Sequence, residues 1–155
     1  MKKIIIFSAV VIVIFAALAV VTNMKQSQQV EGNPFGKDSL DPATISQLND
    51  PNYQNIILPE TLVGALNEGE TKTIYYYSPT CPACTQVSPV IVPLANEVDV
   101  NMQLFNLLEF ETGWSTFQVQ VTPTIVHYTN GQEVSRIEGM ATDEEYRQWF
   151  EATKE

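Results

Sequence analysis

The chain has two cysteines, three residues apart in Cys81-Pro82-Ala83-Cys84, and they follow directly on the run Lys72 to Ser78, KTIYYYS. That run is β-branched and aromatic without sustained alternation, which is the pattern of a strand covered on both faces and predicts a central strand. The residues after it predict a helix from about Cys81 to Asn96 with Thr80 as its N-cap; Pro89 and Pro93 lie inside it, each removes a backbone donor, and a kink is expected. A buried strand feeding a helix with both thiols in its first turn points to an α/β sheet carrying a dithiol at one end of a strand. Both thiols can face the same side and close into a small disulfide ring, whereas a loop this short loses little chain entropy on closure, so bracing is a weak role for the bond. Unpaired amides and partial positive charge at the helix start favour a thiolate on Cys81, the expected nucleophile. Cys84, one turn further in, is expected to be more buried and to act as the resolving thiol.

The remaining periodicities fill in the order of elements. Leu62, Val63 and Leu66 fall on one helical stripe after Pro59, and Met102 to Leu107 reads as a second buried strand. Glu111 to Phe117 gives a weaker helical signal. Thr124 to Tyr128 and Glu133 to Ile137 are strand-like and are joined around Asn130-Gly131, a strong hairpin signal. The last helix opens with Thr142 and Glu145 in capping-box spacing and carries Tyr146, Trp149 and Phe150 on one face. Helix, strand, helix, strand, helix, hairpin, helix describes a sheet that begins parallel and ends with an antiparallel pair.

Ahead of this body, Lys2 and Lys3 precede a run from Ile4 to Val21 in which Ser8 is the only polar residue. As a helix those residues extend about 27 Å against a hydrocarbon core of about 30 Å, so a transmembrane signal anchor over residues 1–22 is expected, with a cleaved signal peptide ending near Ala17-Leu18-Ala19 as the competing reading. By the positive-inside rule the anchor places the N-terminus in the cytoplasm and the rest of this single-pass protein outside the cell membrane. Residues 23–54 are rich in Gln, Asn, Gly, Pro and Ser and read as a flexible tether, interrupted by one short helix at Asp41-Pro42. Residues 55–155 form the expected folded domain. A composition with 45% hydrophobic residues supports one core, and 18 acidic against 8 basic residues, a net charge of -10, disfavours a nucleic-acid partner.

C-x-x-C after a central strand, Pro89 eight residues beyond Cys81, and Val121-Thr122-Pro123-Thr124 before the hairpin together resemble the thioredoxin family, over about a hundred residues from Asn55 onward. The resemblance implies a thioredoxin-like fold, a central mixed sheet flanked by helices, and thiol-disulfide oxidoreductase activity without a cofactor. It implies that Pro123 has a cis peptide bond beside the cysteines, that the backbone of Thr122 binds an extended substrate segment, and that Gly139 lies near the active site. Pro82, Ala83, Pro89 and Gly139 would then shape the motif. The chain departs from thioredoxins proper in having Thr80 before the first cysteine and Pro82-Ala83 between the two. Tyr75 stands where cytosolic members keep a buried acid, which leaves proton handling at Cys84 without a group; Glu109 and Glu111 are the nearest acids and are read as solvated loop residues. Pro82 is similar to the residue at that place in glutaredoxin-like and membrane-tethered members, and Thr122 to its counterpart in periplasmic isomerases.

The function expected is thiol-disulfide exchange with exported proteins or peptides through Cys81 and Cys84, by a monomer recharged by a membrane redox partner. The alternative is a non-catalytic accessory module that uses the same fold to hold a client in peptide export. Cys81, Cys84 and the lone His127 make a poor metal set, because His127 falls within a strand and no second pair completes the ligands. Met24, Met102 and Met140 are too scattered to form a metal cluster. Trp114, Trp149 and the three tyrosines of KTIYYYS belong to the core and half-exposed surface.

Overall fold

The computed structural model describes residues 2–30 and 32–154, and the side chains of these except at 2–6, 9 and 23–29. The chain divides into two compact units, Met1–Leu40 and Asp41–Glu155. The first is a helix, α1 (Lys2–Val30), and a short irregular segment. Beyond the helix end the Asn33 side chain donates to the carbonyls of Val30 and Lys37 at 2.6 and 2.7 Å and accepts the Phe35 amide at 2.9 Å, an Asx arrangement that turns the chain.

Among the described residues no helix is long and apolar enough to cross a membrane. This overturns the expected transmembrane helix and with it the single-pass topology and the placement of the domain outside the cell. The apolar run ends at Val21, after 18 residues that include Ser8. From Thr22 the helix goes on through Asn23, Lys25, Gln26 and Gln28. The readings of Lys2, Lys3 and Met24 concern side chains outside those described.

The second unit is built on a four-stranded sheet in the order β2-β1-β3-β4, made of β1 (Lys72–Tyr77), β2 (Met102–Asn106), β3 (Thr124–Thr129) and β4 (Gln132–Glu138). β1 runs parallel to β2 and antiparallel to β3, and β3 pairs antiparallel with β4, so the mixed sheet is as the order of elements predicts. Alternation along β1 shows why the run has no polar phase. Tyr75 and Tyr77 enter one core with Cys84, Val87, Ile91, Leu104, Tyr146 and Phe150, while Ile74 and Tyr76 enter the other with Leu62, Phe105, Phe117 and Val126. With both faces covered, the positions from Ile74 to Tyr77 all carry buried apolar or aromatic side chains.

Helices α2 (Pro42–Gln47), α3 (Pro59–Asn67), α4 (Pro82–Glu97), α5 (Gly113–Thr116) and α6 (Asp143–Thr153), with a 3-10 turn at Pro51–Tyr53, complete the unit. Asp41 caps α2 by accepting the Ala43 amide at 2.8 Å, so the short helix read at Asp41-Pro42 is present. On α3 the expected stripe is narrower than the sequence indicates: Leu62 is buried and Leu66 partly so, but Val63 is exposed. α4 is unbroken through Pro89 and Pro93, both on its exposed side. Its N-cap is Cys81 rather than Thr80, whose hydroxyl is engaged with Ser78 Oγ at 2.9 Å. The hairpin turns through Asn130 and Gly131 at φ 52° and 74°, the two positive values of a type I′ turn. α6 carries the full capping box, with Tyr146 and Phe150 buried.

Candidate functional site

The end of β1 delivers the dithiol. Past Tyr77 the chain turns at Ser78, whose carbonyl accepts the Cys81 amide at 3.0 Å, and Pro82 then opens α4 at a position where a missing N–H costs nothing. As N-cap, Cys81 puts its sulfur over the first turn, where it accepts the Cys84 amide at 3.2 Å. Its thiol donates to the Thr122 carbonyl at 3.4 Å. Cys81 is half-buried and Cys84 fully buried, and both are free thiols.

This arrangement separates the two ionisations. Burial alone would raise the Cys81 thiol, but hydrogen bonds from the Cys84 thiol, from Thr122 and from the amides of Cys84 and Ala83 outweigh it, and the thiol ionises below its ordinary range. Burial, followed by the hydrogen bond with Cys81, pushes the Cys84 thiol up to about 11 against hydrogen bonds from Ser78 and Thr122, with the charge of Cys81 adding least. Cys81 is therefore the stronger acid of the pair and also the more accessible, the combination that makes a nucleophilic thiol.

The loop before β3 closes over the sulfurs. The Thr122-Pro123 peptide is cis, Pro123 is buried, and its carbonyl accepts the Gly139 amide at 2.8 Å, tying the end of β4 to this loop. The Tyr146 hydroxyl donates to the Gly139 carbonyl at 3.0 Å and so fixes the same corner from α6. Cys81, Cys84, Thr122, Pro123 and Gly139 thus come together, with Pro82 exposed and Ala83 half-buried between the sulfurs. Pro89 lies outside this cluster, about 12 Å along α4 from Cys81 by helical rise.

Behind Cys84 stands a hydroxyl pair that the sequence does not announce. The Ser88 hydroxyl donates to the Cys84 carbonyl at 2.8 Å, and the Tyr75 hydroxyl lies 3.0 Å from Ser88 Oγ; both residues are fully buried. Ser88 sits four residues after Cys84 on the same helix face, the one signal in the sequence that could have singled it out. Glu109 is buried rather than solvated, and its carboxylate accepts the Asp41 amide at 2.9 Å, while Glu111 is exposed. Glu109 therefore ties the start of the unit down, which corrects its reading as a solvated loop residue. His127 is buried in β3 with Thr73 Oγ1 at 2.9 Å and Thr129 Oγ1 at 3.3 Å from its two ring nitrogens.

A dithiol of unequal acidity at a helix start, under a cis-proline loop and at the end of a central strand, defines a thiol-disulfide redox class of site. The chain belongs to the thioredoxin family, whose model matches residues 45–152. Thioredoxin H10 of Arabidopsis thaliana is 28% identical over 89 residues, which cover 55% of this chain and 56% of that protein, so the chain spans about half the length of that curated relative. Among solved structures, thioredoxin of Aeropyrum pernix is 26% identical with a TM-score of 0.51, covering 62% of this chain and 83% of its own. Thioredoxin of Fasciola hepatica is 25% identical with a TM-score of 0.52, covering 61% and 90%. The family's members are thiol-disulfide oxidoreductases, and the fold and the close cysteine pair suggest that chemistry here.

Proposed function

We propose that the protein exchanges disulfides with polypeptide clients, with Cys81 as nucleophile and Cys84 as resolving thiol. The observation that carries this reading is the asymmetry of the pair: Cys81 is reachable and ionises low, Cys84 is sealed behind it and ionises high. A client disulfide meets the Cys81 thiolate first. One client sulfur becomes bonded to Cys81 and the other leaves as a thiol; Cys84 then attacks Cys81, forms the Cys81–Cys84 disulfide and releases the client reduced. The reverse sequence oxidises a client dithiol. A partner redox system returns the pair to its starting state.

Thr122 serves as the client contact in this reading. Its carbonyl already holds the Cys81 thiol at 3.4 Å, so backbone at this point borders the bond being exchanged and can pair with an extended segment. Pro82 and Ala83 set the spacing of the sulfurs, and Gly139 holds the loop.

The test is to trap the intermediate. The Cys84→Ser protein keeps the attacking thiol and lacks the one that releases the client, so it should accumulate client proteins joined through Cys81, seen as higher-mass species on non-reducing gels that vanish with reductant. The Cys81→Ser protein should trap far less. If Cys84→Ser holds no more client than the double variant, Cys81 is not the nucleophile.

A further inference from the structure

Cys84 has to lose a proton and carry developing negative charge while buried, and the Tyr75 and Ser88 hydroxyls, both fully buried, stand behind it. We propose that the Tyr75 hydroxyl, oriented by Ser88, is the catalytic donor that stabilises the Cys84 sulfur as it becomes a thiolate, so that resolution in this protein is served by a neutral phenol. The inference rests on the exchange reading above.

The hydrogen-bond arrangement assigns the direction. Ser88 has one proton, and it is committed to the Cys84 carbonyl at 2.8 Å, so its oxygen is left to accept from Tyr75 at 3.0 Å. Tyr75 packs in the same buried cluster as Cys84 and is joined to that residue through Ser88, and the charge of Cys84 acts on its hydroxyl, so the phenol proton has in this proposal two acceptors, Ser88 Oγ and the Cys84 sulfur. A neutral thiol is a weak acceptor and a thiolate a strong one, so the phenol proton rests on Ser88 before resolution and turns to sulfur during it. Tyr75 keeps its proton throughout, because burial first and the charge of Cys84 next push its ionisation far above the ordinary phenol range. The titratable side chains that face Cys84 are Cys81, Tyr75 and Tyr77 of β1, Tyr53 of the 3-10 turn and Tyr146 of α6, a set of thiols and phenols.

The step balances without an acid in the core. Cys84 gives its proton to solvent at the open Cys81 side, its sulfur attacks Cys81, the Cys81–Cys84 bond forms, and the bond between Cys81 and the client breaks. The electron pair leaves with the client sulfur, which takes up a proton from solvent. Tyr75 lowers the barrier by one hydrogen bond to an anion in a low-dielectric site, an interaction that strengthens only as the charge develops.

Stopped-flow mixing of the reduced full-length protein with dithionitrobenzoate separates the two steps. The first burst of coloured thiolate scales with reagent and reports Cys81; the second is independent of reagent and reports attack by Cys84. Tyr75→Phe should leave the first phase unchanged, slow the second about tenfold at neutral pH, and move the pH inflection of the second phase upward. Ser88→Ala should slow the second phase less and in the same direction, which keeps the proposal testable if Tyr75→Phe folds poorly. A second phase at the wild-type rate in both variants, or one slowed with its pH inflection unmoved, overturns the role of Tyr75. Absence of both phases in the wild-type protein would instead overturn the exchange reading itself.

Discussion

Three residues of separation give Cys81 and Cys84 opposite surroundings, because the first caps the helix and the second is turned into the core between β1 and α6. The consequence can be read in the pH dependence of the reduction potential. Below the ionisation of Cys81 the reduced pair holds two protons for two electrons, and the potential falls by about 59 mV per pH unit. Cys81 ionises low, so once pH rises through its value only Cys84 still holds a proton and the fall lessens to about 30 mV per unit. That shallower slope should persist until Cys84 ionises at about 11. Equilibration with glutathione or dithiothreitol across pH 5 to 10 measures it; a single slope of about 59 mV per unit through pH 9 would mean that Cys81 is not depressed. At this scale the sequence was informative about the sulfurs and silent about what stands behind them. Spacing and helix position identify Cys81 and Cys84, but Tyr75 and Ser88 meet only when α4 lies on β1, and no local pattern marks that contact. Glu109 escaped for the same reason, since its partner is the amide of Asp41, 68 residues away.

Elements whose ends are fixed by short-range chemistry were the most legible, and two of them can be tested by removing that chemistry. In α6 the Thr142 side chain accepts the Glu145 amide at 3.2 Å and the Glu145 carboxylate accepts the Thr142 amide at 2.7 Å. Thr142→Ala should cost about 1 kcal/mol in urea unfolding while Thr142→Ser costs little; equal losses would locate the effect in packing instead of capping. The hairpin turn is more demanding. Gly131 has φ 74°, and a Cβ there would collide with the Leu66 carbonyl oxygen, where the turn lies against the end of α3. Gly131→Ala should therefore destabilise by more than the roughly 1–2 kcal/mol of left-handed strain alone, whereas Asn130→Gly, in an open left-handed position, should be nearly neutral. A Gly131→Ala protein as stable as wild type would contradict that close approach. Thr80 shows the limit of such reading. It is a good N-cap by type, yet its hydroxyl prefers Ser78, and the thiol one residue on takes the cap.

At the scale of the whole molecule, the mixed sheet followed from the order of elements because each strand carries its own signature: aromatic and β-branched where both faces are covered, alternating with charge at the β4 edge. The N-terminal run was the reverse case. Its composition reads as an anchor, but among the described residues no helix is long and apolar enough to cross a membrane, and from Thr22 the same helix runs on into a polar stretch. The folded unit, in contrast, organises every proposed site residue except Pro89 around one pair of sulfurs, through bonds that come from β1, α4, the loop before β3, the end of β4 and α6. What this organisation is for is tested most directly by turnover. Purified full-length protein should accelerate reduction of a peptide disulfide by dithiothreitol well above the uncatalysed rate, with Cys81→Ser falling to that background. Wild-type protein no faster than the background, or Cys81→Ser as fast as wild type, would contradict the account.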